Sequence, residues 1–161
     1  MFGWLKIIVL FAICVFVQIY IVPNFEIYRS FPNLMLIGLV MLCLFFRFSY
    51  ALAWSAAGGI VFDLYSPMYF GVYTISFLVI FVMLYFVINK FFTEPIFIFI
   101  MLAFFAGSLI MDLFPFIITG YKVYLYLLNA GINAFFGTII YYLFYGRLRK
   151  ENIYKLYAPF R

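Results

Sequence analysis

The chain has 161 residues, of which 70% are hydrophobic and only 9% are charged, far below the roughly 25% charged share of a soluble domain. It contains no histidine, so the commonest metal ligand and the usual general base at neutral pH are missing. The composition therefore predicts an integral membrane protein without a metal or cofactor, and it argues against most catalytic schemes.

Six apolar stretches follow one another along the chain. A helix needs roughly 20 apolar residues to cross the hydrocarbon core, and shorter spans are tolerated where flanking side chains reach the interface. The six stretches cover residues 4–22, 32–46, 50–65, 71–89, 95–114 and 123–144. Prolines beside polar residues or glycines separate most of them, but only the Arg47 region separates the second from the third, so a five-span alternative stays open. We expect an all-α bundle of six transmembrane helices over residues 1–146, followed by a basic tail over 147–161.

The basic residues are distributed unequally between the two sides of this bundle. With six spans, one side holds eight Lys and Arg residues and the other holds only Arg29 and Lys122. Because positive residues in short loops stay on the cytoplasmic side, both termini are predicted to be cytoplasmic. The basic residues lie at the ends of apolar runs, which favours membrane lipids over nucleic acid as the anionic partner.

Two segments of the chain share a pattern of glycine, four residues, Asp-Leu-aromatic and a closing glycine. They are residues 58–71 and 107–120, which place Asp63 and Asp112 at equivalent positions, 49 residues apart. A carboxylate deep in lipid would cost several kcal/mol, so both acids are expected to face protein, water or headgroups at the outer ends of their spans.

Two interpretations of these acids stay open. In the first, each carboxylate organises the loop that follows it: Asp63 would bind backbone donors around Ser66 and Met68, and Asp112 donors near Phe116. In the second, a cluster of polar side chains lines a pocket open to the exterior. Its members would be Asp63, Asp112, Ser108, Asn129 and Asn133, with Ser66, Thr74 and Ser76 nearby.

Small residues form stripes on two of the predicted helices. Residues four apart lie on one helix face, so Ala51, Ser55 and Gly59 lead to Asp63 along a single side of the third span. Such stripes let two helices approach closely in a membrane. We expect the partner to be the sixth span, which carries Ala130 and Ala134 at the same spacing.

Residues 32–77 combine a Pro-Asn-Leu start to an apolar span, a short basic turn, a small-residue span ending in Gly-x-x-x-Asp-Leu, and a glycine that opens the next span. The residues of this pattern are Pro32, Asn33, Leu34, Arg47, Gly59, Asp63, Leu64 and Gly71. The segment thereby resembles the rod shape-determining protein MreD family, which has Pro-Asp/Asn-Leu and the same succession of features. Asn33 stands where the family more often has an acid.

The resemblance implies a non-enzymatic protein of the bacterial inner membrane that acts in cell elongation and cell-shape control. Such a protein binds the bitopic protein MreC and helps to link cytoplasmic MreB filaments to the peptidoglycan synthases. The family is also similar to the six-span substrate-binding subunits of ECF vitamin transporters, so a small-molecule transporter subunit is the alternative. The chain carries no phosphate loop, dinucleotide fingerprint or Ser/His/Asp set that would indicate an enzyme.

Overall fold

The computed structural model describes residues 3–25, 30–46, 48–66, 70–91, 97–119 and 123–156, and the side chains of these ranges apart from 88–91, 114–119 and 146–156. Within these ranges the chain forms six α-helices and no β-strand. They are α1 (Trp4–Phe16), α2 (Leu34–Phe45), α3 (Phe48–Tyr65), α4 (Val72–Phe91), α5 (Phe97–Thr119) and α6 (Val123–Leu156). The helix of α1 continues through a π-helical turn, Val17–Ile21, and a 3-10 turn, Val22–Phe25.

The all-α prediction is confirmed, and each predicted apolar stretch coincides with one helix. Two helices run further than the sequence pattern indicated. The fifth stretch was predicted to end before Pro115, yet α5 continues to Thr119, because a proline removes one backbone hydrogen bond without necessarily ending a helix. The sixth helix continues into the basic tail as far as Leu156, where residues such as Leu148, Arg149 and Lys150 are good helix formers.

Two helical stretches of the described chain are long and apolar enough to cross a membrane, judged by length and composition. They are Trp4–Phe25, with 22 residues and a mean hydropathy of 2.7, and Val123–Tyr145, with 23 residues and a mean hydropathy of 1.5. Three shorter apolar helical stretches, Leu34–Phe45, Val72–Val87 and Phe97–Leu113, lie between them in the sequence.

Helix α2 lies at the centre of the bundle. It packs against all five other helices, and Met35, Leu36, Leu39 and Val40 are completely buried. Its sequence is apolar on every side, which is typical of a helix surrounded by other helices. The remaining helices pair as two extensive hairpins, α3 with α4 and α5 with α6, while α1 packs at the periphery on α2 and α3.

Close contacts fix α2 against α3. The indole nitrogen of Trp54 donates a hydrogen bond to the carbonyl oxygen of Met35 over 2.9 Å. The Trp54 ring lies directly over Gly38, where a Cβ atom would come within 2.4 Å of a ring carbon. Glycine at position 38 therefore allows the largest buried side chain of the core to lie flat against the α2 backbone.

Candidate functional site

Polar side chains gather around the start of α2 and around the end of α3 and the start of α4, together with polar residues inside α5 and in the first three turns of α6. We call this group the polar end of the bundle. Its members are Gln18, Asn33, Asp63, Tyr73, Thr74, Ser108, Asp112, Asn129 and Asn133, and they form hydrogen bonds that link the helices.

The start of α2 is capped by its own preceding residue. The side-chain oxygen of Asn33 accepts hydrogen bonds from the backbone N–H groups of Met35, over 3.1 Å, and Leu36, over 3.0 Å. Asparagine is among the preferred N-cap residues because its side chain satisfies the free donors of a first turn. An uncharged amide is sufficient for this contact, so the cap does not need the acid that the resembled family more often carries.

Two side chains from other parts of the chain accept hydrogen bonds from the remaining backbone N–H groups at the start of α2. Gln18 Oε1 accepts from Leu34 N over 2.7 Å, and Asn133 Oδ1 accepts from Asn33 N over 2.6 Å. Gln18 lies in the π-helical turn that follows α1 and is buried. Four successive backbone donors at the start of this central helix are thus satisfied by side chains from three parts of the chain.

Asn133 also joins α6 to α5. It is 1% exposed, and its side-chain nitrogen donates to Ser108 Oγ over 2.9 Å. The side-chain nitrogen of Asn33 donates to the sulfur of Met111 over 3.1 Å, which links the start of α2 directly to α5. Because a buried polar group without a partner costs about 1 to 3 kcal/mol, these mutual contacts determine how the three helices fit together.

Asp63 is 5% exposed and caps α4, the helix that follows it. Its Oδ1 accepts from Tyr73 N over 2.8 Å, while its Oδ2 accepts from Thr74 N over 3.1 Å and from the Thr74 hydroxyl over 2.5 Å. The negative charge also lies at the positive end of the α4 dipole. These three donors belong to the first turn of α4, whereas the sequence predicted donors around Ser66 and Met68. Met68 lies outside the described residues.

Gly59, the last small residue of the α3 stripe, packs on α4 and not on α6, the partner that the sequence predicted. Ala51, Ser55 and Gly59 are buried, and a Cβ atom at Gly59 would come within 2.4 Å of the Thr74 Cα atom. The two backbones can approach this closely only because Gly59 has no side chain. This approach brings the Asp63 carboxylate, one turn further along α3, onto the free amides of α4.

Gly137 of α6 faces the hairpin partner of that helix. A Cβ atom at Gly137 would come within 2.6 Å of the Phe104 ring on α5. Ala130 and Ala134 of α6 are buried.

Asp112 is placed differently from Asp63 despite the shared pattern. Its Oδ2 accepts from Asn129 Nδ2 over 2.7 Å, which links α5 to the second turn of α6. Helix α5 continues seven residues past Asp112, whereas α3 ends two residues after Asp63. Asp112 therefore lies within a helix and pairs with a side chain, while Asp63 reaches the start of the next helix. Phe116, near which the donors were predicted, lies inside α5, where only the backbone is described, and the matching Gly120 lies outside the described residues.

The predicted polar cluster is assembled in two parts. Ser108, Asp112, Asn129 and Asn133 join α5 to α6, and Asp63 is engaged with α4. The contact of Gln18 was not predicted, although an amide side chain inside the first apolar run indicates a buried polar contact.

Two cavities in the described part of the chain are lined by apolar side chains, and neither includes a member of the polar end. One, of about 380 Å³, is a shallow depression on α6 around Gly131. The other, of about 240 Å³, is a groove between α4 and α5 with α2 at its floor. Among the described residues, no group of three or more acids or cysteines is placed to hold a metal ion.

The side chains of the polar end thus mainly form hydrogen bonds with one another and with the backbone N–H groups at the starts of α2 and α4. Comparison of the chain with protein-family models, with curated proteins and with solved structures gave no match.

Proposed function

We propose that this protein is a non-enzymatic scaffold of the bacterial cytoplasmic membrane, in which all six helices span the bilayer with both termini in the cytoplasm. The observation that supports the proposal is that the polar side chains form hydrogen bonds within the bundle. Asn33, Asn133 and Asp63 accept hydrogen bonds from backbone N–H groups at the starts of α2 and α4, and they thereby hold the helices together. A rigid bundle with apolar outer faces is suited to holding a partner's transmembrane helix.

Apolar outer faces on α1 and α6 are available to such a partner. Leu5 on α1 is 74% exposed and Leu143 on α6 is 73% exposed, with further exposed apolar residues on both helices. In a bilayer these faces meet either lipid tails or another helix, and association between helices depends on packing and interhelical hydrogen bonds. The exposed Gly131 on α6 offers a place of close approach.

The resemblance to the MreD family supplies the identity of the proposed partner. Pro32, Asn33 and Leu34 lie at the start of α2, while Gly59, Asp63 and Gly71 shape the α3–α4 hairpin. The resembling residues thus have structural roles that a family of scaffolds would share. We infer that the partner is an MreC-like bitopic protein and that the complex acts in cell elongation, with MreB filaments and peptidoglycan synthases as indirect partners.

Co-expression with an MreC-like protein tests this proposal. A tag on this chain should retain the partner through purification in a mild detergent, and separation of the two proteins under those conditions would contradict the proposal. A photo-crosslinking residue at Ile13 on α1 or at Phe135 on α6, both exposed, should identify the contacting face. The same crosslinker at buried Phe104 is the matched control and should yield no crosslink to the partner.

A further inference from the structure

The segment Trp4–Phe25, which consists of α1 and the two turns that follow it, has few buried residues. Three of its 22 residues are buried, namely Ile7, Gln18 and Val22, whereas eight of the 12 residues of α2 are buried. Lipid tails are as apolar as the helix itself, so no hydrophobic driving force holds α1 against α2 and α3 in a membrane. The attachment of α1 therefore depends on the particular contacts that it makes.

The two ends of this segment are attached in different ways. At the polar end, Gln18 accepts the hydrogen bond from Leu34 N, and Val22 is buried one turn later. At the other end, the rings of Trp4 and Tyr50 meet edge to face with centroids 4.5 Å apart, and Trp4 is 49% exposed. Loss of the first contact would leave a backbone donor of the central helix unsatisfied, whereas separation of two rings leaves no such group behind. The polar end is therefore the anchored end.

The helix changes its type between these two ends. Residues Val17–Ile21 form a π-helical turn, in which the backbone N–H of Val22 donates to the carbonyl oxygen of Val17. Helices bend at such turns, often by about 20° or more. The 13 residues of α1 extend about 20 Å beyond the turn, so a bend of ~20° moves the far end by ~7 Å. This displacement is enough to separate Trp4 from Tyr50 while Gln18 stays in place.

Helix α1 also covers the indole ring of Trp54. The rings of Phe11 and Trp54 meet edge to face at a centroid distance of 5.1 Å. Trp54 is 2% exposed, and its contacts with Met35 and Gly38 of α2 do not involve α1. A bend of α1 away from α3 would therefore bring the Trp54 ring into contact with lipid and leave its attachment to α2 intact.

We propose that α1 is a hinged arm, which is anchored at Gln18, bends at the π-helical turn Val17–Ile21, and moves its Trp4 end away from α3 within the membrane. Helices α2 to α6 keep their packing during this movement. An element with few buried apolar contacts can open while the rest of a protein stays folded. The movement changes the apolar surface that α2 and α3 present to the membrane. It goes beyond the proposed function, because the arm opens and closes without a bound partner.

Distance measurements between spin labels test where the segment moves. In a variant without the two native cysteines, one pair of labels is placed at Leu5 and Leu143, and a second pair at Ile21 and Leu127, all of them exposed positions. Both pairs join the segment to α6, but the first reports the far end of α1 and the second reports the anchored end. In vesicles of phosphatidylethanolamine and phosphatidylglycerol, the first distance distribution should be broad and the second narrow. Two equally narrow or two equally broad distributions would overturn the proposal.

Removal of the anchor provides the matched comparison. Q18L deletes the acceptor for Leu34 N and keeps an apolar side chain, so the distribution between Ile21 and Leu127 should broaden as well. I13L changes an exposed residue of α1 and should leave both distributions unchanged. A narrow distribution between Ile21 and Leu127 in Q18L would overturn the role of Gln18 as the anchor of the arm.

A covalent lock on the arm gives an independent measurement. W4C/Y50C in the same cysteine-free background leaves Trp54 as the one tryptophan of the chain. Phospholipids brominated on their acyl chains should quench Trp54 fluorescence, and a short bismaleimide that joins the two introduced cysteines should reduce this quenching, because α1 is then held over the ring. N-ethylmaleimide modifies the same cysteines without joining them and should leave the quenching unchanged. Equal quenching in the crosslinked and the N-ethylmaleimide-treated protein would overturn the proposal.

Discussion

Thr74 gives Asp63 two hydrogen bonds at once, because its backbone N–H lies 3.1 Å and its hydroxyl 2.5 Å from the same carboxylate oxygen. The second carboxylate oxygen accepts from Tyr73 N over 2.8 Å. A side chain at the end of one helix thus caps the next helix in place of a residue from the intervening loop. The cap couples the geometry of the α3–α4 hairpin to the formation of α4.

Substituting Asp63 should weaken this hairpin in a graded way. D63A removes all three acceptor contacts and should lower the free energy of unfolding by about 2 kcal/mol. D63N should have an intermediate effect, because an amide offers one acceptor oxygen where the carboxylate uses two. Denaturant titration in detergent micelles measures both changes, and equal stability of D63A and the unmodified protein would contradict the capping role.

The Thr74 hydroxyl should be coupled to Asp63 and not act independently. T74V keeps the side-chain shape and removes only the hydroxyl, at an expected cost of about 1 kcal/mol. In the D63A background the same substitution should cost much less, because its partner is already gone. Additive effects in this double-mutant cycle would show that the 2.5 Å contact contributes nothing to stability.

Glycine is required where α3 crosses α4. G59A would place a Cβ atom 2.4 Å from the Thr74 Cα atom, and backbone atoms cannot move aside as a flexible side chain can. The expected loss is about 1 to 3 kcal/mol of unfolding free energy, the usual cost of overpacking. G131A is the matched control, since it adds the same atom to α6 with nothing within 4 Å.

The control should move in the opposite direction. Alanine is the better helix former, so G131A is expected to stabilise the protein by about 0.5 to 1 kcal/mol. Thermal unfolding of both variants in the same detergent compares them directly. Similar shifts in both would mean that helix propensity, and not the close approach of α3 to α4, controls position 59.

Gly71 tests backbone conformation without any packing change. Its φ of +100° lies in the region that disfavours L side chains, and a Cβ atom there would meet nothing within 4 Å. G71A should therefore cost about 1 kcal/mol through backbone strain alone. A melting temperature equal to that of the unmodified protein would contradict this expectation.

The local features of this fold could be predicted from sequence, and the long-range ones could not. The apolar runs predicted all six helices, because a run of that length has few other ways to satisfy its backbone. The contacts of Asn133 with Asn33 and of Gln18 with Leu34 join residues 100 and 16 positions apart, and no spacing rule connects them. The partner of Gly59 was mispredicted for the same reason, since Gly59 lies against the backbone of Thr74 and α4 carries no glycine or alanine that would mark it as the partner.

The Asp63 and Asp112 pair shows where a sequence repeat stops determining structure. The two acids share their neighbours in sequence, yet α3 ends soon after Asp63 while α5 continues through Pro115. The length of helix beyond the acid decides whether the carboxylate reaches backbone donors or a side chain. The sequence pattern does not give that length, because Pro115 predicts a helix end where α5 in fact continues.

Asn133 should be the most sensitive polar position of the described α5–α6 contact. N133L keeps the branched shape of the side chain but removes the acceptor for Asn33 N and the donor for Ser108, and it leaves the backbone donor of Asn33 buried without a partner. We expect a loss of about 2 to 3 kcal/mol of unfolding free energy.

S108A removes a single hydroxyl and should cost about 1 kcal/mol. In the double variant N133L/S108A the loss should be close to that of N133L alone, because both changes remove the same hydrogen bond. Denaturant titration of the three variants checks this order, and a larger loss for S108A than for N133L would show that the start of α2 does not depend on Asn133.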